Sequence, residues 1–176
     1  GHISACLVPT VLTVGEVSGA SGQDVLAAYI IGIETASILG RVFGPGHQRR
    51  GWHPTATVGT LASTAAAGRL LGLDAKNMAC AWGIAGSQVG GLARNFGTMT
   101  KPFHIGRAAQ AGIVSANLAA KGFTADGAIF DDAGGVMDVY VGGDGEPVEE
   151  VISSLAEPWS ILSPGNYVKQ WPCCFS

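Results

Sequence analysis

The sequence predicts an all-α fold, a bundle of about five helices rich in small residues followed by a connecting segment. Apolar residues recur at helical spacing, as in Leu7, Val11 and Val14. Runs of alanine, glycine and serine over residues 62–68 and 108–112 would let helix axes approach closely. Of the 176 residues 47% are hydrophobic and only 13% are charged, so the chain can bury one core and cover much of its helical surface.

The first two helices have clear signals at their ends. A helix is expected over residues 3–17. Ser21 then precedes Asp24 by three residues, an arrangement that resembles a capping box with Asp in place of Glu. This cap predicts a second helix over residues 24–39, and the Gly-Pro-Gly sequence at 44–46 is expected to end it.

Three more helices are expected after a loop over residues 47–52. A helix of small residues should run to residue 71, and Asp74 should cap the next, over 75–89. A last long helix is expected over 105–120. Beyond it the pattern is mixed, with a short helix near 148–155 and a short strand near 167–171.

Composition and cysteine spacing exclude several classes of function. The formal net charge of −3 provides no basic surface for nucleic acid. No two cysteines have CxxC spacing, which indicates neither structural zinc nor a redox motif and favours a reducing, cytoplasmic setting. The apolar run over 25–33 ends at Glu34 and is too short to span a bilayer, so no membrane segment is expected. The cysteines are Cys6, Cys80, Cys173 and Cys174.

The stretch over residues 97–104 concentrates polar groups in one bend of the chain. It contains Thr98, Thr100, Lys101 and His104, and Pro102 suits the start of a helix, where a missing N–H is tolerated. Polar groups at a helix N-terminus suit a carboxylate or phosphate ligand. The alternative is a plain turn between helices, with a solvated lysine and a capping threonine.

His53 is the leading candidate for acid–base chemistry. It precedes a helix, and the positive end of a helix dipole disfavours imidazolium, so a neutral ring that accepts protons is expected. The alternative is a partly buried histidine that supports the helix end. Thr57 lies one turn further along the same face.

The other cations fall into two groups. Lys101 and Lys169 stand in motif-like surroundings, where each could hold a substrate carboxylate or exchange a proton. Arg49 belongs to an adjacent basic pair that could clamp a carboxylate or simply be solvated. Lys76 and Lys121 sit at expected helix ends, where solvation explains them.

An ordered series of motifs over most of the chain resembles the MmgE/PrpD family, which includes 2-methylcitrate dehydratase, cis-aconitate decarboxylase and iminodisuccinate epimerase. The motifs are Arg50-Gly51-Trp52-His53-Pro54-Thr55, Gly59-Thr60, Ala65-Ala66-Ala67, Leu71-Gly72-Leu73, Asn95-Phe96-Gly97-Thr98-Met99-Thr100-Lys101-Pro102-Phe103-His104 and Gly106-Arg107-Ala108-Ala109. The resemblance implies a large helical domain, a smaller α/β lid and a homodimer, with no metal or organic cofactor.

The resemblance also implies how the chain is organised. Residues 1–157 would be part of the helical domain, and residues 158–176 would lead into the lid. The chain would then be the middle of a longer enzyme, and the remainder of that polypeptide would be needed for activity.

The resemblance assigns roles to individual residues. His53, Lys101 and Lys169 match family positions at the substrate, and His2 resembles the histidine of a His-Pro-Ser motif in which Ile3 replaces the proline. Cys174 falls where the decarboxylase has an active-site histidine, which argues against decarboxylation.

The expected substrate is a small di- or tricarboxylate, and the expected reaction is removal of a proton alpha to a carboxylate followed by loss of water. Two alternatives stay open: an epimerase or isomerase of the same family, and a catalytically inert helical assembly module. The residues expected to bind the substrate are Asn95, Thr98, Thr100 and Arg49.

Overall fold

The computed structural model describes residues 1–131 and 133–168, and these residues form an all-α fold without a strand. The prediction of a helical bundle is confirmed. Short helical turns also occur at Ala93–Asn95 and Ile161–Gly165. The helices within the described residues are α1 (Ser4–Ser18), α2 (Gly22–Arg49), α3 (Pro54–Leu70), α4 (Ala75–Gly86), α5 (Thr100–Ala120), α6 (Val136–Tyr140) and α7 (Val148–Ser153).

Helix α3 lies at the centre of the bundle and contacts α1, α2, α4 and α5. Every residue from Thr55 to Gly68 is buried. Small residues make this possible, because a Cβ added to Gly112 of α5 would lie 2.5 Å from Cβ of Ser63 in α3. The expected close approach of small-residue helices is therefore observed, and the surrounding helices supply the larger core side chains. Among these are Leu7 from α1 and Phe43 from α2.

Helix α2 differs from its prediction at its C-terminal end. It does not stop at the Gly-Pro-Gly sequence but continues to Arg49 through a kink at Gly44, which has φ 67° and ψ 173°. Gly44 can adopt this left-handed φ because it has no Cβ. Pro45 then begins the last turn, where its missing N–H costs little, and the N–H of Gly46 donates to Oδ1 of Asp144 at 2.7 Å. The expected loop at 47–52 is thus partly helical.

Helix α2 is also longer than the sequence pattern suggested. By length and composition alone the whole helix could cross a membrane, a test that the buried core helix of a bundle also passes. Glu34 does not interrupt the helix. Its carboxylate is buried and accepts hydrogen bonds from the backbone N–H groups of Ala156 and Ser160, at 3.0 and 2.7 Å. The helix packs against α1, α3 and α7 within the bundle.

The caps predicted from sequence begin two helices as expected. The side chain of Ser21 accepts from the N–H of Asp24 at 3.2 Å, and that of Asp74 accepts from the N–H of Asn77 at 2.8 Å. Helix α4 ends three residues earlier than expected, at Gly86.

Helix α5 begins at Thr100, five residues before the expected start. Pro102 lies in its first turn, where the backbone N–H would have no helical partner in any case. Lys101 and His104 are therefore helical residues one turn apart. At the C-terminal end of the chain, α7 agrees with its prediction. Tyr167 and Val168 are not in a strand, and the rest of the expected strand lies outside the described residues.

Candidate active site

His53 is positioned by a short antiparallel contact between two loops. Trp52 and Leu92 form an isolated β-bridge. On one side of it the N–H of His53 donates to the carbonyl of Gly91 at 3.0 Å, and on the other the N–H of Ala93 donates to the carbonyl of Gly51 at 2.8 Å. His53 itself has an extended backbone and directly precedes α3. Its ring is therefore fixed at the head of the central helix.

A second histidine lies against this ring. Nδ1 of His53 and Nδ1 of His104 are 3.1 Å apart, and the ring centroids are 5.3 Å apart. The two side chains are 3% and 9% exposed, so the contact is shielded from water. The sequence places His104 in the polar bend over 97–104 but predicts no catalytic role for it. The sequence feature that could have pointed to His104 is its position three residues after Lys101. This spacing places both residues on one side of a helix, once α5 is known to begin at Thr100.

Phe96 joins His53 to Lys101. Its ring meets the His53 ring edge to face, with centroids 4.8 Å apart. Nζ of Lys101 lies 4.9 Å from the centroid of the same Phe96 ring, a cation–π distance. The lysine and the histidine predicted to be catalytic are therefore neighbours across one aromatic ring, and Phe96 is a site residue that the motif alone did not reveal.

His2 belongs to the same group. Its backbone N–H donates to Oγ1 of Thr55 in the first turn of α3, at 3.1 Å. Its charge is also close enough to act on His53. The structure thus brings together three of the four residues predicted to be catalytic. The fourth, Lys169, lies outside the described residues, as does Cys174.

The surroundings of His53 favour its neutral form. Burial, followed by the positive charges of His104, Lys101, His2 and the amino group of Gly1, lowers the pKa of His53 from 6.5 to about 4. A neutral ring was predicted from the helix dipole. In the structure, desolvation and neighbouring cations are the main causes. At neutral pH the ring can accept a proton.

The residues expected to bind the substrate occupy two places. Asn95, Thr98 and Thr100 form the turn that leads into α5 beside Lys101. In that turn the Thr98 hydroxyl donates to the carbonyl of Asn95 at 2.8 Å and accepts from the N–H of Thr100 at 3.2 Å. The guanidinium of Arg49 is instead engaged in an ion pair with Asp144, which follows α6. Arg49 is exposed there.

A further buried histidine, His47, contacts Thr57 in the first turn of α3, next to the candidate site. The pKa of His47 is lowered by burial, so its ring is neutral near pH 7. Nδ1 lies 2.7 Å from the carbonyl of Tyr140, which can only accept, and Nε2 lies 2.7 Å from Oγ1 of Thr57. The proton is therefore on Nδ1, and the Thr57 hydroxyl donates to Nε2. This connects the kinked end of α2 to the first turn of α3.

Two further features of the described residues bear on the site, a cavity that lies away from His53 and the absence of a metal-binding cluster. A cavity of about 340 Å³ lies between α4, α5 and the chain that follows α5. Its lining does not include His2, His53, Phe96, Lys101 or His104. Within residues 1–131 and 133–168, no three His, Cys, Asp or Glu side chains are grouped to hold a metal ion.

Comparisons with known proteins agree with this architecture. The MmgE/PrpD N-terminal domain matches residues 1–148. The cis-aconitate decarboxylase of Aspergillus terreus is 32% identical over 185 residues, which cover 98% of this chain and 37% of that protein. The cis-aconitate decarboxylase of Homo sapiens is 35% identical over 144 residues, which cover 79% of this chain and 30% of that protein. The chain therefore spans about a third of the length of these relatives. It belongs to the MmgE/PrpD family.

Proposed function

We propose that this chain is part of a lyase that moves a proton at a carbon next to a carboxylate in a small di- or tricarboxylate. The observation that carries the proposal is the buried, neutral ring of His53 beside the ammonium group of Lys101 and the side chain of His2. A neutral imidazole near a positive charge can take a proton from an acidic C–H bond while that charge attracts the substrate.

The cations would act on the charge that develops during the reaction. When a proton leaves the carbon alpha to a carboxylate, negative charge spreads onto the carboxylate oxygens. Lys101, joined by Lys169, would stabilise this enolate-like charge. The turn of Asn95, Thr98 and Thr100 at the N-terminus of α5 would bind a second carboxylate. These roles make His53 the general base and Lys101 the principal electrostatic group.

Two reactions that move a proton at such a carbon are candidates, one that removes it and one that adds it. In a dehydration, as for 2-methylcitrate, the α C–H bond breaks, the electron pair forms the double bond, and the β-hydroxyl leaves as water after protonation. In a decarboxylation, a C–C bond breaks, CO₂ leaves, and a carbon receives the proton. The names of the relatives favour decarboxylation, whereas Cys174, at the position where the resemblance expects a histidine, favours dehydration. We take dehydration as the first candidate.

The complete enzyme is expected to have further parts. Residues 158–176 would lead from the helical domain into an α/β lid that closes over His53 and brings Lys169 to the substrate. The enzyme would work as a homodimer in the cytoplasm. Epimerisation is the third outcome, in which the proton returns to the opposite face of the same carbon.

The test is turnover by the full-length enzyme of 2-methylcitrate, cis-aconitate and iminodisuccinate, with release of water or CO₂ measured separately. His53→Ala should lower kcat by about 10²- to 10⁴-fold, the usual contribution of a general base. Lys101→Ala should also lower kcat. Lys76→Ala is the matched control, because Lys76 is the second residue of α4 as Lys101 is of α5.

Full activity of both the His53 and Lys101 variants would reject the site. Absence of turnover of all three compounds by the unaltered enzyme would instead favour the inert assembly module.

A further inference from the structure

We propose that His104 is a positioning residue for His53, one that determines which ring nitrogen of His53 carries the proton and exchanges a proton with it during turnover. The inference rests on the proposed role of His53 as the base. It gives a catalytic-site function to a residue that the sequence placed only in a polar bend, and it follows from the contact between the two Nδ1 atoms.

The 3.1 Å contact requires the two rings to be in complementary states. A hydrogen bond between two ring nitrogens needs one N–H and one lone pair. If His104 donates, Nδ1 of His53 is occupied as an acceptor and its Nε2 carries the hydrogen. If His53 donates, its Nε2 has the free lone pair. The proton between the two Nδ1 atoms therefore decides whether Nε2 of His53 acts as an acid or as a base.

The backbone passes close to the pair at Gly91. The carbonyl of Gly91 accepts from the N–H of His53, and the same residue lies against the His104 ring. A Cβ on Gly91, whose φ is +113°, would lie 3.4 Å from Nδ1 of His104 and 2.7 Å from Cβ of Ala56. Gly91 therefore bonds to the backbone of His53 and lies beside the His104 ring, and a larger residue there would press on Ala56 and on that ring.

The charges that face the pair favour a single shared proton. Lys101 acts on His53 from α5, and His2 acts from the segment before α1. Both are positive when protonated, so they oppose a second positive charge on the two rings. The pair therefore carries at most one positive charge, and the relay places that charge on His104.

The relay can be written with its atoms balanced. The substrate C–H bond breaks, its electron pair stays on the substrate as an enolate, and the proton bonds to Nε2 of His53. The proton on Nδ1 of His53 moves to Nδ1 of His104. His53 is then neutral with its hydrogen on Nε2, and His104 is an imidazolium that balances the new negative charge. The reverse transfer returns the proton to the leaving group or to the carbon.

The test compares His104→Asn and His104→Leu in the full-length enzyme. Asn can form one hydrogen bond near the position of Nδ1 but cannot relay a proton, and Leu can do neither. We expect kcat to fall about 10²-fold in the Leu variant, the lower end of a general-base contribution, and partly recover in the Asn variant, with little change in KM. The acid limb of the kcat/KM profile should move to higher pH in both, because a positive neighbour of His53 is removed. Gln110→Leu, exposed on the same helix, should change none of these values.

A readout independent of turnover is the ¹⁵N spectrum of labelled histidines. In the unaltered enzyme we expect scalar coupling between the two Nδ1 nuclei and a single dominant tautomer of His53. His104→Leu should remove the coupling and shift the tautomer equilibrium. No coupling, or an unchanged tautomer together with an unchanged pH profile, would overturn the relay. Failure of every substrate with the coupling present would reject the proposed reaction alone.

Discussion

Oε2 of Glu34 accepts a hydrogen bond of 2.7 Å from the backbone N–H of Ser160, a residue 126 positions further along the chain. Oε1 of the same carboxylate accepts from the N–H of Ala156 at 3.0 Å. Two backbone donors in one turn thus converge on a single buried carboxylate in the middle of α2. This contact attaches the segment after α7 to the helical bundle.

Glu34→Gln should weaken that attachment. The amide keeps one acceptor oxygen but presents an NH₂ group to the other backbone donor, so one buried N–H loses its partner. We expect a loss of about 1.5–3 kcal/mol in the free energy of unfolding, typical of a hydrogen bond to a charged group. Faster amide exchange at Ala156 and Ser160 would locate the effect. Glu16→Gln, exposed on α1, should be neutral, and equal exchange in the two variants would contradict this account.

Alanine should have opposite effects at two glycines of α2. At Gly44, with φ 67°, a Cβ would lie 2.6 Å from the N atom of Gly145, so we expect destabilisation by about 1–3 kcal/mol. At Gly40 a Cβ would have no atom of residues 1–131 or 133–168 within 4 Å, and the helix should gain about 0.5–1 kcal/mol. Urea denaturation of the two variants measures both values. Equal shifts would mean that the kink does not require glycine.

Ser63 and Ser115 should also respond differently to alanine. The hydroxyl of Ser63 is buried and has no hydrogen-bond partner among the residues that the structure describes, so Ser63→Ala should be neutral or stabilising. The hydroxyl of Ser115 donates to Ala111 and accepts from Gln88, at 2.7 and 2.8 Å. Ser115→Ala should therefore cost about 1 kcal/mol or more, since the amide of Gln88 loses its partner. Thermal unfolding of both variants is the measurement, and a clear loss for Ser63→Ala would contradict the prediction.

Stability should fall as the pH is lowered from 6.5 towards 4. In that range the unfolded chain protonates His53, whose unfolded pKa is near 6.5, while the folded protein does not, because its pKa is about 4. The unfolded state then binds more protons, and the free energy of unfolding decreases by up to about 1.4 kcal/mol per pH unit for each such group. The lowered pKa of His47 contributes with the same sign. His53→Asn should reduce the slope measured by urea unfolding across this range, and an unchanged slope would reject the assignment.

The helix starts were predictable where a side chain caps the backbone. Ser21 and Asp74 each precede a helix and bond to its first turn, so local sequence contains the signal. The kink at Gly44 depends instead on Asp144, which binds the N–H of Gly46 from almost 100 residues away. Contacts between such distant positions leave no local pattern.

The candidate site was predictable in part for the same reason. His53 and Lys101 belong to recognisable motifs, whereas the pairing with His104 depends on where α5 begins. With the helix start expected at residue 105, His104 had no assigned face. The engagement of Arg49 with Asp144 likewise depends on how the chain after α6 returns to α2.

The enclosure of α3 determines how this protein can tolerate sequence change. A helix with one solvent-exposed face tolerates substitution every three or four positions. From Thr55 to Gly68, however, every residue of α3 is buried against its surroundings. Systematic replacement of these fourteen residues should therefore destabilise the protein at every position, without the 3.6-residue period of a helix that has one exposed face. Because His53, the proposed base, directly precedes that helix, substitutions along α3 should lower the proposed activity before they unfold the protein.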